Sequence, residues 1–142
     1  MKVLLFLREE ICNGLINEYI RRLSKGLNAC GIETDFYDIS RYLLTPPPES
    51  ELRNWPEKHY DAALAFNAIG QQNYMLDGEN IYDRMGIPFY NYLLDHPLEH
   101  DPDVAMGPAD YRIICLDRDH VDYVYKYYPN VKKCYFLPLP GV

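Results

Sequence analysis

Four short apolar runs constrain this chain more than anything else in it: residues 2–7 (KVLLFL), 61–66 (DAALAF), 88–94 (PFYNYLL) and 111–116 (YRIICL). A near-continuous apolar run of strand length reads as a strand covered on both faces, and strands of that kind belong to parallel sheets flanked by helices. Each run stops abruptly at polar or turn-forming residues: Arg8-Glu9-Glu10, Asn67 to Gly70, Asp95-His96-Pro97 and Asp117-Arg118-Asp119-His120. Open α/β sheets place their ligands beyond the carboxyl ends of the strands, so these stops are where a site is expected.

The intervening segments fit helices and loops. Leu15, Tyr19, Leu23 and Leu27 recur every four residues, with Ile16, Ile20 and Cys30 widening the stripe. Asn13 is placed to cap that helix and Gly31 to close it in the left-handed conformation. Residues 33–38 read as a second strand nearer the sheet edge. The prolines at 46, 47 and 48 forbid regular structure and predict a stiff loop before a short helix over 49–58. A helix interrupted by Gly78 is predicted over 74–85, and Pro102 and Pro108 predict an irregular segment over 98–109. Val121, Val124, Tyr125 and Tyr128 lie at helical spacing, and 133–137 is the last strand. The expected fold is α/β: a single Rossmann-like domain over 1–142, a three-layer sandwich with right-handed crossovers and a mostly parallel sheet of about six strands.

Composition narrows the partners. A formal charge of -7 over 142 residues, with Lys and Arg scattered, argues against nucleic acid or an anionic membrane surface. No apolar run reaches the roughly 20 residues of a membrane span. The apolar start meets charge at Arg8, so it reads as a strand and not a signal peptide. The four cysteines, Cys12, Cys30, Cys115 and Cys134, form no Cys-x-x-Cys pair and are expected as reduced thiols of a cytoplasmic protein. The 14 tyrosines suit either a polar cleft or interface, or a tyrosine-rich core boundary.

The turn after the first strand carries two carboxylates and one glycine, which disfavours a dinucleotide or flavin phosphate cradle. Asn67 and Asp117 stand where a phosphorylated receiver domain needs an acceptor Asp and a Lys. What remains is Asn67 with Gly70, Asp95 with His96, His100, and Arg118 beside Asp117. A carboxylate beside an imidazole at a strand end is suited to act as general base on a hydroxyl, or to bind a sugar hydroxyl without chemistry. The competing structural reading makes Asp95 and Asp117 caps and gives His96 a backbone partner. His96 and His100 have helical metal-ligand spacing, but no third ligand is evident and no metal or other cofactor is expected.

Three phrases together, PFYNYLLDHP (88–97), CLDRDHV (115–121) and FLPLPG (136–141), resemble the N-terminal half of GT-B-type glycosyltransferases, especially the bacterial spore-maturation glycosyltransferase-like family. The resemblance implies a domain that receives the acceptor, a glycan, protein or small molecule. A nucleotide-sugar would be held by a second domain that 1–142 does not contain, and no bound metal would be needed. It implies Asp95 and His96 as catalytic candidates facing the interdomain cleft, with Asn67, Gly70, His100 and Arg118 binding substrate nearby, and no transfer by this domain alone. The alternative is a stand-alone ligand-binding or protein-interaction module, with a homodimer through an exposed apolar face as one form of it.

Overall fold

A computed structural model describes residues 1–9 and 14–139. β1 (Lys2–Leu7) leads to α1 (Leu15–Ala29) and β2 (Glu33–Asp38). After a 3-10 turn at Ser40–Tyr42 and the proline run come α2 (Glu49–Leu52), a second 3-10 turn (Pro56–Lys58) and β3 (Ala62–Phe66). A small antiparallel ribbon, β4 (Met75–Leu76) and β5 (Glu79–Asn80), precedes α3 (Ile81–Met85). β6 (Phe89–Leu93), α4 (Asp101–Ala105), β7 (Tyr111–Cys115), α5 (Arg118–Tyr127) and β8 (Lys133–Phe136) complete the order. The main sheet runs β2-β1-β3-β6-β7-β8 and every neighbouring pair in it is parallel.

That order dictates the layers. Side chains alternate across β1, so Val3, Leu5 and Leu7 face one side while Leu4 and Phe6 face the other. Only the step from β1 to β2 runs toward one edge; every later step runs the opposite way. With right-handed crossovers, α1 must cover one face and the later helices the other. Accordingly, Ile16 and Ile20 pack with Val3, Leu5, Ala62 and Phe66. Leu52, Tyr82, Val104 and Val124, one from each of α2 to α5, pack with Phe6, Phe89 and Ile113. The reversal of direction lies between β1 and β3, where doubly wound sheets open a crevice at their carboxyl end.

The tyrosine surplus belongs largely to the core. Tyr82 and Tyr111 are fully buried and flank Phe89, with ring centroids 4.7 Å and 6.1 Å away. Each buried ring of this kind contributes about 2–3 kcal/mol through apolar area. Their hydroxyls are satisfied by main-chain carbonyls, Tyr82 donating to Gln71 (2.7 Å) and Tyr111 to Asp103 (2.5 Å).

Several local expectations are corrected. The buried line of α1 is Ile16, Asn17, Ile20 and Ser24, whereas Leu15 and Cys30 are exposed. Gly31 does adopt the left-handed conformation (φ 80) after that helix, and the cap assigned to Asn13 lies outside the described residues. The helix expected over 49–58 is divided into α2 and a 3-10 turn, because Pro56 restarts the chain there. Over 74–85 the first half is the β4–β5 ribbon: Asp77 (φ 51) and Gly78 (φ 78) form the left-handed pair of a tight hairpin turn, which a helix cannot contain. The irregular segment over 98–109 holds a 3-10 turn at Pro97–His100 and then α4. Pro97 and Pro102 sit in first turns, where a missing N–H breaks no helical bond.

Candidate functional site

The site is assembled beneath its visible surface by Asn91, a polar side chain in the middle of β6 that is completely buried. Its Oδ1 accepts the Ala68 amide (2.9 Å), and its Nδ2 donates to the Tyr111 hydroxyl (3.0 Å). Asp103 completes the support, its Oδ1 accepting the Gly70 amide (2.9 Å) and the Gln72 Nε2 (3.1 Å). The loop after β3 is thereby fixed to β6, β7 and α4 at once.

Asn67 opens that loop with φ 44, a left-handed conformation that asparagine tolerates better than most side chains. Three hydrogen bonds hold it: its amide to the Tyr92 carbonyl (2.8 Å), the Leu94 amide to its Oδ1 (2.7 Å), and its Nδ2 to Asp95 Oδ2 (3.0 Å). The same Asp95 oxygen lies 3.5 Å from Nε2 of His100, whose side chain is mostly buried while that of Asp95 is 60% exposed. The result is a carboxylate held from behind by one amide hydrogen bond, with a buried imidazole nitrogen close to it that makes no hydrogen bond of its own among the described residues, and open to solvent in front. Such a group is equipped to accept a proton from a hydroxyl or to bind sugar hydroxyls.

The other expected residues go elsewhere. His96 accepts the Leu98 amide through Nδ1 (3.1 Å), and its ring stands edge-on to His120 (4.7 Å) and Tyr123 (4.6 Å). It is the imidazole next in sequence to Asp95, yet the one that approaches the carboxylate is His100. Gly70 has φ 86, but its N–H is engaged by Asp103. Arg118 lies 4.4 Å over the Phe136 ring, beside β7 and β8, and Asp117 caps α5 through the Asp119 amide (2.7 Å). Among the described residues, no group of three or more His, Cys, Asp or Glu side chains is disposed to hold a metal ion. Among them, too, no helix is long and apolar enough to cross a membrane.

Sequence reasoning passed over Asn91, Asp103 and Arg8. Asn91 carried a signal, being a lone amide inside an apolar strand; Asp103 carried none, because its segment read as irregular. Arg8, just past β1, is 3% exposed and donates through Nη2 to the Phe66 carbonyl (2.6 Å), while its own amide donates to Asn17 Oδ1 (2.9 Å). It ties β1 to β3 at the point where the chain changes direction. Beside this point a cleft of about 280 Å³ separates the connection after β2, including Tyr42 and Pro46, from the loop after β3, including Ile69 and Tyr74.

No family model and no curated protein matches the chain. A cysteine-to-serine mutant of flavodoxin from Pseudomonas aeruginosa is similar to it in structure, with a TM-score of 0.41 and 16% identity over 97% of this chain and 84% of that one.

Proposed function

We propose that this chain is the acceptor-side N-terminal domain of a bacterial GT-B-type glycosyltransferase, with Asp95 as the base that receives the acceptor's proton. In this reading the acceptor hydroxyl loses its proton to Asp95 as its oxygen bonds the anomeric carbon of the sugar. The nucleoside diphosphate leaves with the electrons of the broken bond, held by the second domain. Asn67 is a positioning residue that aims the carboxylate by its hydrogen bond, and His100 adds favourable charge beside it when protonated. The same reading puts the protein in the cytoplasm, where nucleotide-sugars are made and Cys115 and Cys134 stay reduced.

The observation that carries the proposal is the convergence of Asn67 and His100 on an exposed Asp95 at the carboxyl end of a parallel sheet. Support for a facing domain comes from Leu15, Leu44, Ile69, Leu98 and Leu137, all exposed and all on connections that leave carboxyl strand ends. Asp95 is preferred to His96 because the latter's Nδ1 is already committed to the Leu98 amide.

In the protein that joins this chain to its donor-binding domain, Asp95→Asn is expected to lower transfer about 10²–10³-fold while leaving the melting temperature unchanged. Undiminished transfer would sink the assignment, as would a gene that encodes no second Rossmann-like domain. A stand-alone binding module is the competing reading. It predicts ligand binding by 1–142 that Asp95→Asn does not alter, with no transfer in any context.

A further inference from the structure

We propose that, on the α1 side of the sheet, the half formed by β6, β7 and β8 is a docking slot for an amphipathic helix of a partner protein. That helix is apolar toward the sheet and carries Asp or Glu on the flank beside β8. The slot goes beyond the acceptor-domain reading and does not depend on it. A parallel sheet is ordinarily covered on both faces, yet α2 to α5 all pack on one of them. Among the described residues α1 is the single helix on the other, and it lies over β1 and β3 through Ile16 and Ile20. The remaining strands, β6 to β8, span about 10 Å, the width of one helix. Packing reflects this difference between the faces. On the α1 side as many apolar side chains are half-buried as buried, whereas on the other side the buried ones outnumber the half-buried several-fold.

α1 supplies one wall of the slot. Beside the line that meets the sheet it carries a second apolar line, Tyr19 and Leu23, left half-buried. Tyr19 stacks on Phe66 (6.3 Å) and Phe66 on Tyr92 of β6 (4.8 Å), so this line is turned toward β6. Ser24, on the opposite flank of the helix, meets Thr34 of β2 (2.6 Å). The sheet supplies the floor, where strand register sets Tyr90, Arg112 and Lys133 in one row and Tyr92, Ile114 and Tyr135 in the next. A helix laid over β7 would bury Tyr19 and Leu23 together with Tyr90 and Tyr135.

Charge selects the occupant. Arg112 lies over the Tyr90 ring (5.4 Å) and Lys133 over the Tyr135 ring (5.2 Å). Arg112 and Lys132 share the carboxylate of Asp110 (2.7 and 3.4 Å), so with Lys133 this rim keeps an excess of positive charge in a chain of net charge -7. A helix with carboxylates on the flank beside β8 complements that rim. A second copy seated by the same face would bring the same cations, and the net charge of the chain opposes nucleic acid.

The test is a display library of single helices of about 20 residues, randomised at their surface positions and selected against the full chain. Enriched helices are expected to be amphipathic and net acidic, and to bind less tightly in high salt. Tyr135→Asp should weaken them about tenfold or more. Lys133→Glu, at an exposed position that does not bear on folding, should weaken them about fivefold, and Lys58→Glu at the amino end of the sheet should leave them unchanged. Recovery of no helical binder, binders without an acidic bias, or binding unchanged in both Tyr135→Asp and Lys133→Glu would overturn the proposal. So would a dimer in sedimentation equilibrium that Tyr135→Asp dissociates, or saturable binding of a uridine oligonucleotide that Lys133→Glu abolishes, since a second copy or a nucleic acid would then occupy the face.

Discussion

At the amino end of the sheet Asp35, Asp61 and Asp110 each lie against a cation, Asp35 3.1 Å from Lys2 Nζ, Asp61 3.9 Å from the chain's amino group, Asp110 2.7 Å from Arg112 Nε. At the carboxyl end Asp95 has an amide and an imidazole behind it and solvent in front. The first arrangement settles charge locally, between neighbours on adjacent strands or within two residues. The second depends on a loop held in place by side chains buried under it. Surface ion pairs contribute little and are weakened by salt, whereas a buried hydrogen-bonded group is expensive to leave unpaired. The carboxyl end should therefore be the fragile one, although fewer charges meet there.

The largest effect is expected from Asn91→Leu, which removes the partners of the Ala68 amide and one partner of the Tyr111 hydroxyl and should cost about 3 kcal/mol in urea denaturation. A loss below about 1 kcal/mol would mean that the buried network does not hold this end. Asp103→Ala strips the acceptor from the Gly70 amide and Gln72 and should cost about 1–2 kcal/mol. Faster hydrogen exchange at the Gly70 amide, with exchange in β1 unchanged, would locate the damage.

Effects at the amino end should be smaller. Arg112→Met is expected to cost about 1 kcal/mol, because the guanidinium is mostly buried, grips Asp110 through Nε and Nη2 (2.7 and 2.9 Å) and donates to the Tyr90 hydroxyl (2.9 Å), and high salt should recover only part of that loss. The pH dependence has a definite sign. Hydrogen bonding from Arg112 holds the Asp110 carboxyl below its ordinary value of 3.8. Its contribution is therefore complete above that value and is lost as pH falls through the lowered one. The wild-type protein should lose more stability than Arg112→Met between pH 5 and pH 3, a difference that acid titration at low ionic strength measures. The smallest effect is expected from Arg118→Ala, about 0.5 kcal/mol from the lost contact with Phe136. If the proposed acceptor role holds, a marked loss of acceptor binding in that variant would extend the candidate site across β7 and β8.

Much of the carboxyl end was legible in the sequence as position. The runs at 2–7, 61–66, 88–94 and 111–116 end where β1, β3, β6 and β7 end, within one residue, so Asn67 and Asp95 were assigned to neighbouring strand ends from the pattern alone. The pairing was not legible. His96 adjoins Asp95 in the chain, but Pro97 holds it at the start of a 3-10 turn and directs its ring to His120 and Tyr123. One turn later the chain brings back His100 instead. Asp77-Gly78 was a hairpin signal that the apolar spacing of 74–85 concealed.

The sequence by itself determined the parallel α/β sheet and where its strands end. It could do so because strand burial and crossover handedness follow from local hydrophobic pattern and chain chirality. Only the tertiary structure decided which groups meet there. The Asn67–Asp95 bond joins residues 28 apart, and the Asn91–Tyr111 bond beneath it joins residues 20 apart. Contacts of that span depend on the paths of the intervening loops, which the packing of the whole core fixes and no local pattern records.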